Sequence, residues 1–326
     1  MTSGTDRDAT LAELGEFGLI GRIGELVAAT APGEDVLVGP GDDAAVMRVR
    51  KGHVVVSTDV MVEGRHFRRD WAEAADVGAR AAAQNLSDIN AMGGRAQWMT
   101  VALAGPADLP AGWALDFTRG FAEECAKVGA GLVGGDVSRA DQVVVSVTAI
   151  GACTVSPVLR SGAAPGDVLA ICGRQGWAAG GLAVLGRGFR SPRVLVEAYR
   201  RPEPPYDAGQ VAAEAGATSM IDISDGLLAE ALHLAEDSGV SIDVTTASFE
   251  VPEPLLAVGQ ALGADPMTFI LGGGDDHSLL ATFPAGTALP EGWARIGSVG
   301  PAPVEGDPRV TVDGASYDGP TGWSHF

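Results

Sequence analysis

Lysine is nearly missing from this chain: only Lys51 and Lys127 occur among 326 residues. Neither ends a glycine-rich run of the GxxxxGK[ST] type, which excludes a P-loop nucleotide site, and the HRD and DFG elements of protein kinases are missing as well. Cysteine is scarce too. Cys125, Cys153 and Cys172 form no CxxC pair and leave an odd count, which suits reduced thiols and gives neither a disulfide frame nor a zinc site. The first residues, MTSGTDRDATLAELGEF, have no basic region followed by an apolar one, so no secretory signal is expected. Long hydrophobic runs are absent: the stretch 142–159 is interrupted by Ser146, Thr148, Gly151 and Pro157 and alternates as a strand does. The expectation is a cytoplasmic protein with no membrane partner. Basic residues are few, 22 against 42 acidic ones, for a net charge of −20. Such a surface repels nucleic acid. A polyanionic metabolite would have to be held locally, by cations or backbone amides.

The length suits two domains, each able to bury its own core. The 46 glycines and 19 prolines are spread along the chain and read as tight turns. Residues 11–29 carry apolar side chains at helical spacing. Residues 54–58 read as a buried strand ending at Asp59, 71–92 as an Ala-rich helix stopped by Gly93-Gly94, and 96–103 as a strand. A helix near 111–128 and strands at 131–134 and 143–150 follow. The Pro/Gly/Ser cluster SPVLRSGAAPGD at 156–167 marks the boundary, giving domains at 1–153 and 154–326. Beyond it, strands are expected at 168–172, 219–224, 240–245, 278–283, 293–299 and 308–312, with helices up to about Tyr199 and at 226–239. Strands alternate with helices in both halves, so the class is α/β or α+β. The literal GxGxxG at Gly129–Gly134 follows a helix and leads into a strand, the reverse of the dinucleotide fingerprint, and reads as a turn.

The informative feature is the placement of the aspartates. Asp42 and Asp43 lie in a Gly-rich loop, Asp59 ends VVVSTD, Asp88 lies in NLSD on a helix, and Asp136 ends GLVGGD. Asp222 and Asp225 bracket Ser224, and Asp275 and Asp276 follow three glycines. Each alone could cap a helix or make a turn. As a set they suit magnesium, which takes a few carboxylates and completes its shell with water and substrate phosphates. Ions so held would bridge a nucleoside triphosphate for phosphoryl transfer, which needs positioning and neutralisation of charge.

GDDAAV (41–46), STDVMVEGRHF (57–67), NLSDINAMG (85–93), LVGGDVSR (132–139), RSGAAPGD (160–167), IDISDGL (221–227), GGGDDHSLLATF (272–283) and the closing GWSHF (322–326) together resemble the thiamine-monophosphate kinase family in order and spacing. The resemblance implies the two-domain fold shared with aminoimidazole-ribonucleotide synthetase, with an N-terminal domain that dimerises and a C-terminal domain that closes the cleft. It implies the reaction of ATP with thiamine monophosphate to give thiamine diphosphate by direct in-line transfer, in a homodimer. By position, Asp42, Thr58, Asp59, Asp88, Asp136, Asp222 and Asp225 would be magnesium ligands, with Ser57 adding its backbone oxygen or hydroxyl. Gly135, Asp136, Arg160 and Ser224 would contact ATP, and a guanidinium such as that of Arg160 grips phosphate bidentately. His66, Asp275 and Trp323 would meet the substrate. An aromatic face at Trp323 suits the thiazolium cation, although a terminal Trp also serves to dock a chain end and His66 could equally be a satisfied core residue. Where the family shows Gly-Gly-Glu-Asp, this chain has Gly273-Gly274-Asp275-Asp276, one methylene shorter. No general base is expected, because the nucleophile is a phosphate oxygen already ionised at neutral pH. The alternatives are another ATP-using enzyme of the same fold, or a relative that binds nucleotide and divalent metal without turnover.

Overall fold

The computed structural model describes residues 9–14, 16–28, 36–38, 46–47, 53–304 and 309–323. They fall into two compact units, one of Met1–Ile89 with Arg95–Thr154 and one of Asn90–Gly94 with Val155–Phe326.

In the first unit, helices α1 (Leu11–Leu14) and α2 (Glu16–Ala28) precede strands β1 (Val36–Val38) and β2 (Val46–Met47), which pair antiparallel. Then come β3 (His53–Val62), α3 (Ala74–Ala91), β4 (Arg95–Gly105), α4 (Ala111–Ala126), β5 (Gly131–Arg139) and β6 (Val144–Cys153). Strands β3 to β6 form one sheet in the order β3-β6-β4-β5. Only β4 and β5 run parallel. Alternation along β3 sorts its side chains onto two faces. Met61 is buried, and Ser57 and Asp59 share its face. Val54, Val56 and Val60 point the other way and are exposed, Val56 at 61%. The inner face carries Met99, Val101, Val145 and Val147, all buried, and the helices contribute Val77, Leu86, Phe117 and Phe121 to the buried set. Trp113, Phe117 and Phe121 stack in series along α4.

Helices α3 and α4 cross at a reciprocal pair of glycines. A Cβ added at Gly78 would lie 2.0 Å from the Phe117 carbonyl oxygen, and one added at Gly120 would lie 2.0 Å from that of Ala75. Neither position has room for a methyl group, and the obstacle in both is backbone.

In the second unit, β7 (Val168–Cys172) is followed by α5 (Trp177–Gly186), α6 (Arg193–Arg200), α7 (Ala208–Glu214), β8 (Ser219–Asp222), α8 (Leu227–Ser238), β9 (Ser241–Val244), α9 (Glu253–Leu262), α10 (Met267–Gly272), β10 (Leu279–Phe283), β11 (Trp293–Gly300) and β12 (Val310–Val312). The sheet order is β12-β9-β11-β7-β10-β8, antiparallel except for the β12–β9 pair. Both faces are covered, which is why VLAIC and LLATF read as nearly unbroken apolar runs. Leu169, Ile171, Ile221 and Leu280 pack with Leu227, Leu228 and Leu234 of α8 on one side. Ala170, Cys172, Met220, Ala281 and Phe283 pack with Ala212 of α7 on the other.

The expected mixed α/β class matches this architecture. The GxGxxG segment is a helix-to-strand turn, with Gly129 at φ +74° and β5 opening at Gly131. The three cysteines are free and buried. Three expectations are corrected. The strand carrying VVVST is not buried: it is an edge strand with one face uncovered, where Val54 and Val56 are exposed. Asp59 and Asp136 do not end their strands: β3 runs on to Val62 and β5 to Arg139. Both belong to edge strands, where a carboxylate can reach water without terminating the ladder. The short helices α7, α9 and α10 escape sequence reading because each is ten residues or fewer and interrupted by or flanked with Gly and Pro.

Gly78→Ala and Gly120→Ala are each expected to destabilise the chain by about 1–3 kcal/mol or more. Chemical denaturation checks this, and an unchanged midpoint in both would contradict the crossing described.

Candidate functional site

In the first unit, two pairs of side chains bridge β3 and α3. Ser57 Oγ donates to Asp88 Oδ2 at 2.6 Å, and Gln84 Nε2 donates to Asp59 Oδ2 at 3.1 Å. Ser57 and Asp59 are two apart on one face of a strand; Gln84 and Asp88 are four apart on one face of a helix. The match of these spacings, with the helix running against the strand, sets two carboxylates side by side. Thr58, between Ser57 and Asp59, faces the opposite side of β3, where its hydroxyl donates to the Val147 carbonyl at 2.8 Å. Its side chain therefore cannot join those of its neighbours, and only its backbone could.

Asp136 lies apart. The register aligns Asp59 with Val147, Val101 and Gly135, and Val60 with Ser146, Ala102 and Asp136. Asp59 and Asp136 thus occupy opposite edges, about 14 Å apart at three strand spacings, and opposite faces of the sheet. His66 closes a turn: its Nδ1 accepts the Val62 N–H at 2.9 Å, which puts the proton of the neutral ring on Nε2.

In the second unit, three segments meet at the end of β8. Ile223 N–H donates to the Ser278 carbonyl at 2.8 Å, Asp275 N–H to that of Ser224 at 2.9 Å, and His277 N–H to that of Ile223 at 3.2 Å. The close approach requires Gly274, where a Cβ would lie 2.0 Å from the Ser224 oxygen. Asp275 and His277 both sit at positive φ, +67° and +54°, a conformation uncommon for non-glycine residues and costing of order 1 kcal/mol or more each. The third segment arrives from downstream: Trp323 N–H donates to the Asp225 carbonyl and Ala229 N–H to that of Thr321, both at 3.1 Å. Asp222, Ser224, Asp225, Asp275 and Trp323 are so gathered, with Trp323 60% exposed. Arg160 is anchored beside the other end of β8. Its carbonyl accepts Ser238 Oγ, and the Leu159 carbonyl before it accepts the Met220 N–H.

Two buried acids and a histidine support this assembly. Glu230, in the first turn of α8, accepts from Ser224 Oγ and from Asp225 N–H, each at 3.2 Å. Burial pushes its carboxyl above the usual range, partly opposed by the Asp225 N–H. His277 Nδ1 lies 3.0 Å from Asp222 Oδ2, with both side chains nearly enclosed. Asp276 caps α5 by accepting the Ala178 N–H at 3.0 Å, while its Oδ2 has no hydrogen-bond partner among the described residues. Burial raises its pKa to about 7 from an ordinary 3.8, against the lowering pull of that N–H and of Arg174.

Of the expected site residues, the structure joins Ser57 with Asp88 and places Asp59 alongside. It gathers Asp222, Ser224, Asp225, Asp275 and Trp323, and leaves Thr58, Gly135, Asp136 and His66 elsewhere in the first unit. Asp42 lies outside the described residues. Among the described residues no group of three or more His, Cys, Asp or Glu side chains is disposed to hold a metal ion. Sequence reasoning missed Gln84, Glu230 and the part played by His277. The Gln84–Asp88 helical spacing and the acid five residues past Asp225 were visible signals.

The model of the AIR synthase related protein N-terminal domain matches residues 41–153, and the fold is that of this class of proteins. The thiamine-monophosphate kinase of Mycobacterium tuberculosis strain H37Rv is 46% identical over 319 residues, 97% of this chain and 93% of the relative. The crystal structure of thiamine monophosphate kinase from Aquifex aeolicus aligns over 95% of this chain and 99% of that one, with a TM-score of 0.75 and 30% identity. AaThiL complexed with AMPPCP and TMP aligns over 98% and 99%, with a TM-score of 0.79 and 32% identity. The chain belongs to the thiamine-monophosphate kinase family and is a kinase.

Because the folded chain retains the Asp276 proton that the unfolded chain releases between about pH 4 and about pH 7, this residue's contribution to stability falls as pH rises through that window. Asp276→Asn keeps an oxygen for the Ala178 N–H and removes the ionisation. Its denaturation midpoint is expected to gain on the wild type between about pH 4 and about pH 7. A difference independent of pH would refute the assignment.

Proposed function

We propose that this kinase transfers the γ-phosphoryl group of ATP to thiamine monophosphate, giving thiamine diphosphate by direct in-line displacement in the cytoplasm. The observation that supports this most is the three-segment assembly at the end of β8. It gathers the residues that the resemblance assigns to metal, nucleotide and substrate: Asp222 and Asp225, Ser224, and Asp275 and Trp323. A relative of the same fold, AaThiL, is complexed with AMPPCP and TMP.

The donor chemistry fits magnesium. Every candidate ligand is a hard oxygen, and four of the carboxylates fall into pairs, Asp59 with Asp88 and Asp222 with Asp225, while Asp136 lies apart. Magnesium takes one or two carboxylates and fills the rest of its shell with water and substrate phosphates, so pairs suffice. When bound, magnesium neutralises charge on the β and γ phosphates. The chain's own part is positional. Ser57 and Gln84 orient Asp88 and Asp59, the main-chain bonds among residues 223–226, 275–278 and 321–323 fix the second cluster, and Arg160 is suited to grip a phosphate. Asp136 and Gly135 extend the nucleotide contacts, and His66, Asp275 and Trp323 meet the acceptor. No side chain need take a proton, because the attacking phosphate oxygen is ionised above about pH 6.

The uncovered face of the first sheet, with Val54, Val56 and Val60 exposed, is where a second copy would pack to form the homodimer. Asp136 shares that face and would lie at the dimer surface.

Incubation with ATP, magnesium and thiamine monophosphate is expected to yield thiamine diphosphate by chromatography, and Asp59→Asn to lower kcat by about 100-fold or more. ATP binding without product would overturn the reaction and leave the fold. Light scattering is expected to give a dimer for the wild type and a monomer for Val56→Asp, which puts a charge into an apolar contact. A monomeric wild type would refute this use of the face.

A further inference from the structure

We propose that Glu230 is a positioning residue for nucleotide binding: it ties the Ser224 hydroxyl to the Asp225 main chain and fixes Ser224 as a hydrogen-bond acceptor. The inference rests on the reading of Ser224 and Asp225 as nucleotide and metal contacts, and adds to it the polarity of the contact and the group that sets it.

Two bonds carry it. Glu230 Oε1 receives Ser224 Oγ–H and Asp225 N–H at 3.2 Å each, so one carboxylate oxygen spans both residues of the turn before α8. The N-cap of the helix is Gly226, with no side-chain cap bond among the described residues. Glu230 is 3% exposed while Ser224 is exposed, so the acid lies beneath the turn and does not compete for the ligand. Main-chain bonds hold the turn from its other sides. Asp275 N–H reaches the Ser224 carbonyl and Trp323 N–H the Asp225 carbonyl. Those bonds place the two carbonyls, and among the described residues Glu230 is what restrains the hydroxyl.

A serine hydroxyl has one proton and two lone pairs. With its proton directed to Glu230, Ser224 presents lone pairs to whatever binds above it. It can then accept from an N–H or O–H of the nucleotide or ligate a cation, and it cannot donate to a phosphate oxygen. A free hydroxyl in the same place would rotate and lose that discrimination.

The test measures affinity for magnesium–AMPPCP by calorimetry on the full chain, together with KM for ATP and kcat. Glu230→Gln keeps an oxygen at Oε1 and is expected to stay within about threefold of the wild type in KM and Kd. Glu230→Leu removes both bonds and is expected to raise KM and Kd at least about tenfold, the scale of losing hydrogen bonds to a charged group, with a smaller change in kcat. Ser224→Ala should cost a similar factor, and the double variant Ser224→Ala/Glu230→Leu no more than the worse single variant, because the acid acts through the hydroxyl. A folded Glu230→Leu with wild-type affinity, or factors that multiply in the double variant, would overturn the proposal. If the leucine variant does not fold, the same cycle run with Glu230→Gln decides. Expected there is a Ser224→Ala loss equal in both backgrounds, and a Gln variant as weak as Ser224→Ala would count against it. A wild type that binds no AMPPCP would instead overturn the reading of the turn, and the proposal with it.

Discussion

The candidate site in the second unit depends on one close approach, that of the Gly274 backbone to the carbonyl of Ser224. Asp222, Asp225, Asp275 and Glu230 would repel one another if only their side chains held the place together. Like charges a few ångströms apart cost about 1 kcal/mol per pair in water and more where water is excluded. The main-chain bonds from Ile223, Asp275, His277 and Trp323 are indifferent to that repulsion. They set the acids in place without help from a ligand, and the two residues at positive φ are part of the cost of doing so.

The two carboxylate pairs are built by opposite means. Asp59 and Asp88 are brought together by side chains, from a strand of period two and a helix of period 3.6 that coincide over one turn. Asp222 and Asp225 are brought together by loops, through main chain. A chain with net charge −20 thus gathers acids in small, organised places, where the proposed magnesium ions would supply the neutralisation. The near absence of lysine is consistent with that division of labour.

Much of this was legible from residue types. The strand VLAIC, the helix at 227–238 and the turn at Gly129 follow from apolar runs, periodicity and glycine placement, and the ordered motifs pointed to the family. What was not legible is three-dimensional. A strand reading that stops at an aspartate assumes that charge ends a strand, whereas β3 and β5 lie at sheet edges and carry Asp59 and Asp136 in mid-course. The separation of those two acids needs register, which one-dimensional spacing does not hold. Thr58 looked equivalent to its neighbours because a motif has no faces. Glu230 drew no notice because an acid in a helix's first turn is ordinary, and only its burial beneath Ser224 distinguishes it.

The reciprocal contact of Gly78 and Gly120 bears on how such a chain can evolve. Each glycine touches the backbone of the other's helix, so a side chain at either position forces α3 and α4 apart and removes the reason for keeping the other. The two positions should therefore drift together or not at all among homologues. Because α3 also carries Gln84 and Asp88, a lineage that opened the crossing would have to rebuild the pairing with Ser57 and Asp59 at the same time. Two small residues at a helix crossing thereby inherit the selective constraint of the acids they do not contact.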